Sequence, residues 1–310
     1  MKVLIVCSYN KRRIAPFILE QTRSLEKEQI EIDYHKIIGR GFLGYIKNYF
    51  SLLVKIKSYE PDIIHAHYGL SGLLANLQRK IPVVTTFHGS DVNSSKAYKY
   101  SWLASKLSAS TIFVNEFMAK NLRNKRCHII PCAVETNLFK VMEKNHAREA
   151  LCFQNDDIII LFSSAFSNSI KNFPLAEKAC KLLERATGKK IKIVELKNYS
   201  RNEVNLLLNA CDCALLTSFS EGSPQFIKEA MACNCPAVTT DVGDIACLFG
   251  EESGYYLSSF EPEDVSAKLK MALEYSEKNG RTRGLDKIFK MGLDSGTIAK
   301  RIINIYKSIV

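Results

Sequence analysis

The same order of parts occurs twice in this chain of 310 residues, at about residues 62–91 and 212–244. In each copy an apolar run leads into a loop of small residues, a helical stretch and a second apolar run. Both second runs start with Pro-x-Val-Thr-Thr, at Pro82 and Pro236. Strands that alternate with helices in this way indicate a parallel sheet. The repeat therefore predicts an α/β protein made of two doubly wound domains of similar build, with loops at the carboxyl ends of the strands.

A Pro-led irregular stretch at residues 131–139, PCAVETNLF, separates the two patterns and is the expected hinge. We predict an N-terminal Rossmann-like domain over residues 1–133 and a C-terminal Rossmann-like domain over residues 134–292. An amphipathic helix lies in residues 293–310, and whether it crosses back to the first domain is left open. If the carboxyl ends of the strands face one another, a ligand cleft lies between the domains.

Length and composition narrow the class of protein. A chain of 35.0 kDa can build two apolar cores, and none of its apolar runs approaches the roughly 18 residues of a membrane span. The N-terminus reads as a first strand instead of a secretion signal. Ten cysteines without an export signal favour a reducing compartment, and the two C-x-C pairs at Cys211/Cys213 and Cys233/Cys235 lack zinc-type partners. We expect a cytoplasmic protein, with peripheral binding at the inner face of the membrane left open.

The charge is uneven along the chain. Residues 1–133 carry 20 Lys and Arg against 9 Asp and Glu, whereas residues 134–310 carry 23 of each. The whole net charge of +11 therefore belongs to the first part. A basic domain suits an anionic partner such as a membrane surface, a polyphosphate lipid or a nucleic acid. No nucleic-acid recognition motif accompanies the charge, so nucleic acid is the least favoured partner.

The stretch SFSEGSPQFIKEAMACNCPAVTTDVGD, residues 218–244, concentrates the candidate binding chemistry. It predicts a loop after a strand and then a helix, with Ser223 as the N-cap and Pro224 as the first helical residue. The free N–H groups and the positive dipole end of such a helix favour a phosphate or diphosphate.

Two carboxylates flank this helix start. Glu221 falls in the loop, and Glu229 falls about one and a half turns into the helix, so their side chains can hold hydroxyls on either side of a bound phosphate. The alternative reading is that Glu221 is an ordinary loop acid and that Glu229, beside Lys228, is a solvated helix residue.

A glycine motif in the first part of the chain is typical of dinucleotide binding. Gly39–Gly44 reads G-x-G-x-x-G, but it follows the second strand, whereas a dinucleotide fingerprint follows the first, so nicotinamide binding is disfavoured. The adjoining segment Phe42–Lys57 mixes aromatic residues with lysines. It fits either an interfacial helix or a helix whose apolar face meets the core.

Together, these motifs resemble the retaining glycosyltransferases of family 4. The run Glu-Gly-x-Pro-x-x-x-x-Glu-Ala-Met-Ala from Glu221 carries most of the resemblance, with Lys171-Asn172 and His88-Gly89-Ser90-Asp91 in support. Tyr68-Gly69-Leu70-Ser71-Gly72 brings the chain closest to the teichuronic-acid and capsular polysaccharide type. The resemblance implies the GT-B fold, in which two Rossmann-like domains, an acceptor-side one and a donor one, face each other across a cleft.

The resemblance also implies a hexosyltransferase. It would move a sugar from a nucleotide-sugar, with UDP-sugar favoured, to a glycan acceptor that is lipid-linked, in bacterial capsule, O-antigen or exopolysaccharide synthesis. Retention would follow front-face attack, with the departing phosphate taking the acceptor proton. No D-x-D motif is present, so we expect neither a catalytic metal nor a cofactor, and no nucleic acid as partner.

The residue roles follow from the same resemblance. As catalytic residues, Glu221 contacts the transferred sugar, Lys171 neutralises the donor diphosphate, and His88 meets the donor sugar and acceptor. Glu229 holds the ribose hydroxyls, for which a carboxylate is well suited because it accepts both hydrogen bonds. The remaining candidates lie near the phosphates and sugar or on the acceptor side: Gly222, Ser223, Pro224 and Gln225 in the first group; Asp91, Asn10, Lys11 and Arg12 in the second.

Two departures from the family pattern bear on activity. An arginine usually precedes the lysine by about five residues, where this chain has Phe166, and a Gly-Gly pair is usual in the first loop, where it has residues 8–13, SYNKRR. Losing one charged hydrogen bond to the leaving group costs about 2 kcal/mol, or tens-fold in rate. We hypothesise that Lys11, Arg12 or Arg201 substitutes for the arginine. The alternatives are a catalytically weak or inactive nucleotide-sugar-binding protein and a GT-B sugar-nucleotide epimerase.

Overall fold

The computed structural model describes residues 1–10, 12–39, 41–92, 95–122 and 127–310, apart from the side chains of Phe42, Ser95, Lys96 and Asn121. Lys11, one of the acceptor-side candidates, lies outside the described residues. The chain forms two compact units: the first comprises Met1–Ala133 and Ser295–Val310, and the second comprises Val134–Asp294. The first unit carries 23 Lys and Arg against 9 Asp and Glu, and the second carries 20 against 23.

The first unit contains a six-stranded parallel sheet in the order β2-β1-β3-β4-β5-β6. The sheet alternates with helices along the chain, as the repeat predicted. Its elements are β1 (Lys2–Ser8), α1 (Pro16–Lys27), β2 (Glu31–Ile37), α2 (Gly41–Ile46), α3 (Tyr49–Tyr59), β3 (Ile63–His67), α4 (Gly69–Asn76), β4 (Val83–Phe87), α5 (Ser95–Leu107), β5 (Ser110–Phe113), α6 (Glu116–Leu122) and β6 (Cys127–Ile129).

In the first copy of the repeat, the loop of small residues predicted after the first apolar run falls at Tyr68–Gly72. That prediction is wrong, because α4 already begins at Gly69. The small residues there serve packing. A Cβ on Gly69 would lie 2.0 Å from the Ser101 hydroxyl oxygen, and a Cβ on Gly72 would lie 2.5 Å from a Thr85 side-chain atom. Glycine therefore lets α4 approach its neighbours closely, and the helix is nearly all buried.

The segment predicted as one helix at Phe42–Lys57 is two, α2 and α3, and Asn48 lies at the break. The Asn48 side chain donates to the carbonyls of Ile38 and Gly44 at 3.0 and 2.9 Å, which ties the break to the end of β2. Leu52 packs in the core, whereas Phe50 is 77% exposed. The core-facing reading is therefore confirmed for the face that carries Leu52, and the interfacial reading of the exposed face stays a prediction.

The second unit contains a five-stranded parallel sheet in the order β11-β10-β9-β7-β8. The fold class predicted from the sequence, α/β with two parallel doubly wound sheets, is confirmed. The elements are α7 (Lys144–Ala150), β7 (Ile158–Phe162), a single 3-10 turn (Ser169–Lys171), α8 (Phe173–Thr187), β8 (Ile191–Glu195), α9 (Arg201–Ala210), β9 (Cys213–Leu216), α10 (Gln225–Ala232), β10 (Ala237–Thr240), α11 (Ile245–Phe249), β11 (Tyr255–Ser258), α12 (Pro262–Asn279) and α13 (Gly284–Lys290).

The last helix, α14 (Ser295–Lys307), belongs to the first unit. Its apolar face joins the core on one side of the first sheet. Its Tyr306 hydroxyl lies 2.5 Å from His65 Nδ1, and both side chains are buried. Within the residues that the structure describes, no helix combines the length and apolarity needed to cross a membrane.

Candidate active site

In the second unit, four charged residues, two of them predicted site residues, follow neighbouring strands. Lys171 follows β7, Arg201 follows β8, Glu221 follows β9 and Asp244 follows β10, and all four strands are parallel. Their carboxyl ends therefore lie at one edge of the sheet. The strand order reverses between β7 and β9, which is where ligands bind in open α/β sheets. The elements alone thus place Lys171 and Glu221 at the expected binding edge.

Lys171 and Glu221 form an ion pair. The Lys171 Nζ lies 2.5 Å from Glu221 Oε1, and the Ser218 hydroxyl donates to the same oxygen at 2.6 Å. The two loops are also tied by the Thr217 hydroxyl, which donates to the carbonyls of Lys171 and Asn172, each at 3.0 Å. These contacts hold the cation and the carboxylate side by side in a half-buried position.

Glu229 is almost wholly buried on α10 and pairs with Arg201, whose Nη2 lies 2.6 Å from Glu229 Oε1. The reading of Glu229 as a solvated helix residue is therefore wrong. Arg201 is the first residue of α9, and the Ser200–Glu203 capping box fixes its backbone. Of the three cations hypothesised to replace the family arginine, Arg201 is the one that belongs to the second unit, and it contacts the carboxylate assigned to the ribose.

The predicted cap of α10 is also wrong, because the N-cap is Pro224 and the helix begins at Gln225. The Ser223 hydroxyl is engaged elsewhere: it donates to Asp244 Oδ2 at 2.5 Å and accepts from Lys228 Nζ at 2.7 Å. Lys228 has 0% exposure, so its ammonium is held inside the unit by this bridge to a carboxylate.

Burial raises the pKa of Asp244, and the charge of Lys228 opposes that rise. The turn that carries Gly222 packs against Gly243, which has a φ of 66° and where a Cβ would lie 2.7 Å from the Gly222 carbonyl oxygen. Neither Lys228 nor Asp244 was assigned a role from the sequence, because a charged residue on a predicted helix is normally solvent-exposed.

Phe166, at the position of the family arginine, is part of an aromatic cluster. Its ring stacks on Phe173 with centroids 3.8 Å apart and lies 5.8 Å from Phe162. Its backbone N–H donates to Glu195 at 2.9 Å. The side chain therefore extends the apolar core at this position and supplies no hydrogen-bond donor to a leaving group.

In the first unit, two of the acceptor-side candidates, Asn10 and Asp91, line a cavity of about 470 Å³. It lies at the reversal of strand order between β1 and β3. Three polar or aromatic residues that had no role assigned from the sequence also line it: Arg13, Tyr68 and Ser90.

The side chains of Asn10 and Asp91 hold loops. Asn10 exchanges two hydrogen bonds with the backbone of Gly39, each at 2.7 Å. Asp91 accepts backbone N–H groups from His88 at 3.1 Å, and from Gly89 and Gly69 at 3.0 Å each. Burial raises the pKa of Asp91 to about 6, although these N–H groups oppose the rise. Arg12 is exposed, with a φ of 53°.

His88 belongs to a row of histidines. Its Nε2 lies 3.0 Å from His67 Nδ1, and its Nδ1 lies 3.7 Å from the Cys132 sulfur. His67 stacks in turn on His65. Burial lowers the pKa of His67 well below its ordinary value and that of His65 to about 3, so both remain neutral. The imidazole of His88 is thus oriented by protein partners.

Two family models match the chain: Glycosyltransferase Family 4 over residues 12–138 and Glycosyl transferases group 1 over residues 192–283. The putative teichuronic acid biosynthesis glycosyltransferase TuaC of Bacillus subtilis is 23% identical over 286 residues, which cover 83% of this chain and 73% of that protein. The N,N'-diacetylbacillosaminyl-diphospho-undecaprenol alpha-1,3-N-acetylgalactosaminyltransferase of Campylobacter jejuni is 24% identical over 316 residues, covering 86% and 82%.

Among solved structures, that of Anabaena Alr3699/HepE in complex with UDP matches with a TM-score of 0.75 at 16% identity, and covers 99% of this chain and all 100% of that one. At this identity the likeness shows the fold. It confirms the GT-B class that the sequence motifs implied.

Proposed function

The chain belongs to the family 4 glycosyltransferases, and on that premise we propose which substrates it uses and how it transfers the sugar. The donor is a UDP-sugar, and the acceptor is a lipid-linked glycan of bacterial surface polysaccharide synthesis. The configuration of the sugar is retained. Support comes from the relatives, one named for teichuronic acid biosynthesis and one for a diphospho-undecaprenol acceptor, and from the HepE structure that holds UDP.

One observation supports the donor site above the others. Two ion pairs, Lys171–Glu221 and Arg201–Glu229, lie at one edge of one sheet, and their partners are 50 and 28 positions apart in sequence. Two cations and two carboxylates suit a ligand that has both a diphosphate and several hydroxyls. Glu229 accepts the ribose hydroxyls, and Glu221 accepts a hydroxyl of the transferred sugar.

The reaction needs the departing diphosphate to be stabilised. Negative charge develops on it as the glycosidic bond breaks, and Lys171 together with the backbone N–H groups at the start of α10 stabilises that charge in place. When the donor binds, Lys171 moves from the Glu221 carboxylate to the phosphate, which frees the carboxylate for the sugar. The departing phosphate oxygen takes the acceptor proton, so attack comes from the same face and no protein nucleophile is required.

The aromatic cluster at Phe166 favours a slower enzyme. With Phe166 in place of a guanidinium, one charged hydrogen bond to the leaving group is missing, which lowers the rate tens-fold unless another group supplies it. A protein that binds the donor and barely turns it over is therefore the second candidate function. Release of UDP measured with and without acceptor distinguishes the two.

The acceptor side is proposed to meet an anionic membrane. The first unit carries the excess positive charge, and the face of α2 and α3 exposes Leu43, Phe50 and Val54 next to Lys47 and Lys57. Apolar side chains flanked by lysines suit the surface of an anionic leaflet, here the inner face of the cytoplasmic membrane.

Flotation with vesicles of phosphatidylglycerol tests the membrane contact. The wild type should float at low salt and less at high salt, and Phe50→Glu should reduce flotation. The matched control is Phe289→Glu, at an exposed phenylalanine of the second unit. Equal flotation of both variants, or binding that ignores salt, contradicts this contact.

Thermal-shift screening with UDP-, GDP- and ADP-sugars tests the donor assignment, because a ligand that binds the native state raises the Tm. We expect a UDP-sugar to give the largest rise and Glu229→Ala to abolish it. Glu274→Ala, at an exposed residue of α12, is the matched control. A rise that persists in Glu229→Ala contradicts the donor site.

A further inference from the structure

Arg201 is layered on an aromatic ring. Its guanidinium carbon lies 4.6 Å from the centroid of the Phe139 ring, within the range of a cation–π contact. Phe139 has 0% exposure and is fixed by hydrogen bonding of its N–H to the Glu135 carbonyl at 2.8 Å. The Arg201 side chain keeps 29% of its surface exposed. The guanidinium is therefore covered by protein on the side of Phe139 and keeps part of its surface exposed.

The plane of this guanidinium is fixed by more than the ring. Its Nη2 pairs with Glu229, which is almost wholly buried, and the capping box of α9 fixes the backbone from which the side chain leaves. A long arginine side chain normally loses rotamer freedom when it meets a ligand, and here most of that loss has already occurred. The exposed part is thus a flat, rigid surface.

We propose that the outer face of Arg201 is the platform on which the nucleobase of the donor stacks. This inference rests on the proposed function, in which Glu229 holds the ribose. The base is bonded directly to the ribose, so a group in contact with the ribose carboxylate lies within one ring of the base. Nucleobases stack on arginine planes as they do on aromatic rings, because every base presents a π-face.

The same geometry separates Arg201 from the leaving group. Lys171 pairs with Glu221, at the proposed sugar and diphosphate end, whereas Arg201 pairs with Glu229, at the proposed ribose end. A guanidinium that stacks on a base contacts its flat face and does not read the hydrogen-bond donors and acceptors on its edge. Arg201 therefore contributes affinity for a nucleoside diphosphate as a class, and other groups must select the base.

The test compares ligands with and without a base. Binding of UDP and of ribose 5-diphosphate, which lacks the base, is measured by calorimetry for the wild type, Arg201→Lys and Arg201→Gln. Lysine keeps the positive charge beside Glu229 but has no plane. The matched control is Arg185→Lys, at an exposed arginine near the end of α8. That helix end lies at the opposite edge of the sheet from the binding loops.

We expect Arg201→Lys to weaken UDP about tenfold and to change ribose 5-diphosphate less than twofold, with Arg185→Lys unchanged for both ligands. An equal loss for both ligands overturns the proposal, since Arg201 then acts only by holding Glu229. Unchanged UDP binding in Arg201→Lys also overturns it. If the wild type binds neither ligand, the proposed donor site is wrong. The wild-type measurement alone identifies that outcome, without any variant.

Discussion

The buried ammonium of Lys228 gives the sharpest prediction, because its neighbours define what its removal leaves behind. Lys228 has 0% exposure, donates to the Ser223 hydroxyl at 2.7 Å, and reaches the Asp244 carboxylate through that hydroxyl, which donates at 2.5 Å. In Lys228→Met the methionine fills most of the same volume with an apolar chain. The Asp244 carboxylate then remains inside the unit without its counter-charge.

The magnitude follows from the charge left behind. Removing one member of a buried pair costs about 3–5 kcal/mol, since the remaining ion is uncompensated, whereas replacing both members is close to neutral. For urea unfolding with an m-value of about 2 kcal/mol/M, the single variant should lower the midpoint by about 2 M. The double variant Lys228→Met/Asp244→Asn should recover most of this loss.

The pH dependence of the stability loss in Lys228→Met shows whether the Asp244 charge causes it. Burial already raises the pKa of Asp244, and removing the Lys228 charge that opposes the rise raises it further. A carboxyl whose folded pKa lies above its unfolded value loses stability as the pH rises from the ordinary Asp range through the folded pKa. The deficit of Lys228→Met should therefore be smaller at pH 5 than at pH 8.

Urea unfolding followed by circular dichroism at the two pH values, with Lys270→Met at an exposed lysine as control, measures these effects. An unfolding midpoint for Lys228→Met equal to that of the wild type would falsify the claim that the Lys228 charge stabilises the buried Asp244 carboxylate. A double variant as unstable as the single one would show that packing, and not charge, causes the loss.

Three further predictions concern stability. Asp91→Asn should lower the free energy of unfolding by about 2 kcal/mol, because an amide N–H₂ then faces a backbone N–H such as that of Gly69. The wild type should lose stability as the pH rises towards 6, because the folded pKa of Asp91 is raised, and the variant should not. Urea unfolding at several pH values measures both effects. Tyr306→Phe should cost about 1 kcal/mol, equally at pH 6 and pH 8, because His65 stays neutral at both. Phe166→Arg should lower the Tm, measured by thermal unfolding, because it breaks the aromatic stack with Phe173.

The fold was largely predictable because its signals are local. Apolar runs such as β1 and β3 are short, β-rich and bounded by turn residues, and the repeated Pro-x-Val-Thr-Thr marks equivalent strands, β4 and β10. The secondary-structure prediction was wrong where one residue type occurs in two kinds of element. Glycine in a helix that packs closely, as at Gly69, has the same local signature as glycine in a loop.

The sequence indicated most of the candidate donor-site residues one by one, but it did not indicate how they pair. The sequence marked Lys171, Glu221 and Glu229, whereas the Arg201–Glu229 contact joins residues that are 28 positions apart and depends on α9 and α10 following strands of one sheet. Lys228 was overlooked for the same reason. Its counter-charge lies on another loop, so the sequence offers no sign that a helical lysine is buried.

Polar residues at the ends of strands differ in their partners: some bond to backbone groups, and others form ion pairs with side chains. Asn10 and Asp91 line the cavity of the first unit, yet both side chains form hydrogen bonds with backbone groups, those of Gly39 and Gly69 among them. Glu221 and Glu229 instead face the cations Lys171 and Arg201, whose charges can exchange partners when an anion binds. A side chain committed to backbone amides fixes a loop, because releasing it exposes unpaired groups. An ion pair between side chains can reopen at lower cost when a phosphate replaces the carboxylate. We therefore expect the second unit, more than the first, to carry the groups that respond to the proposed donor.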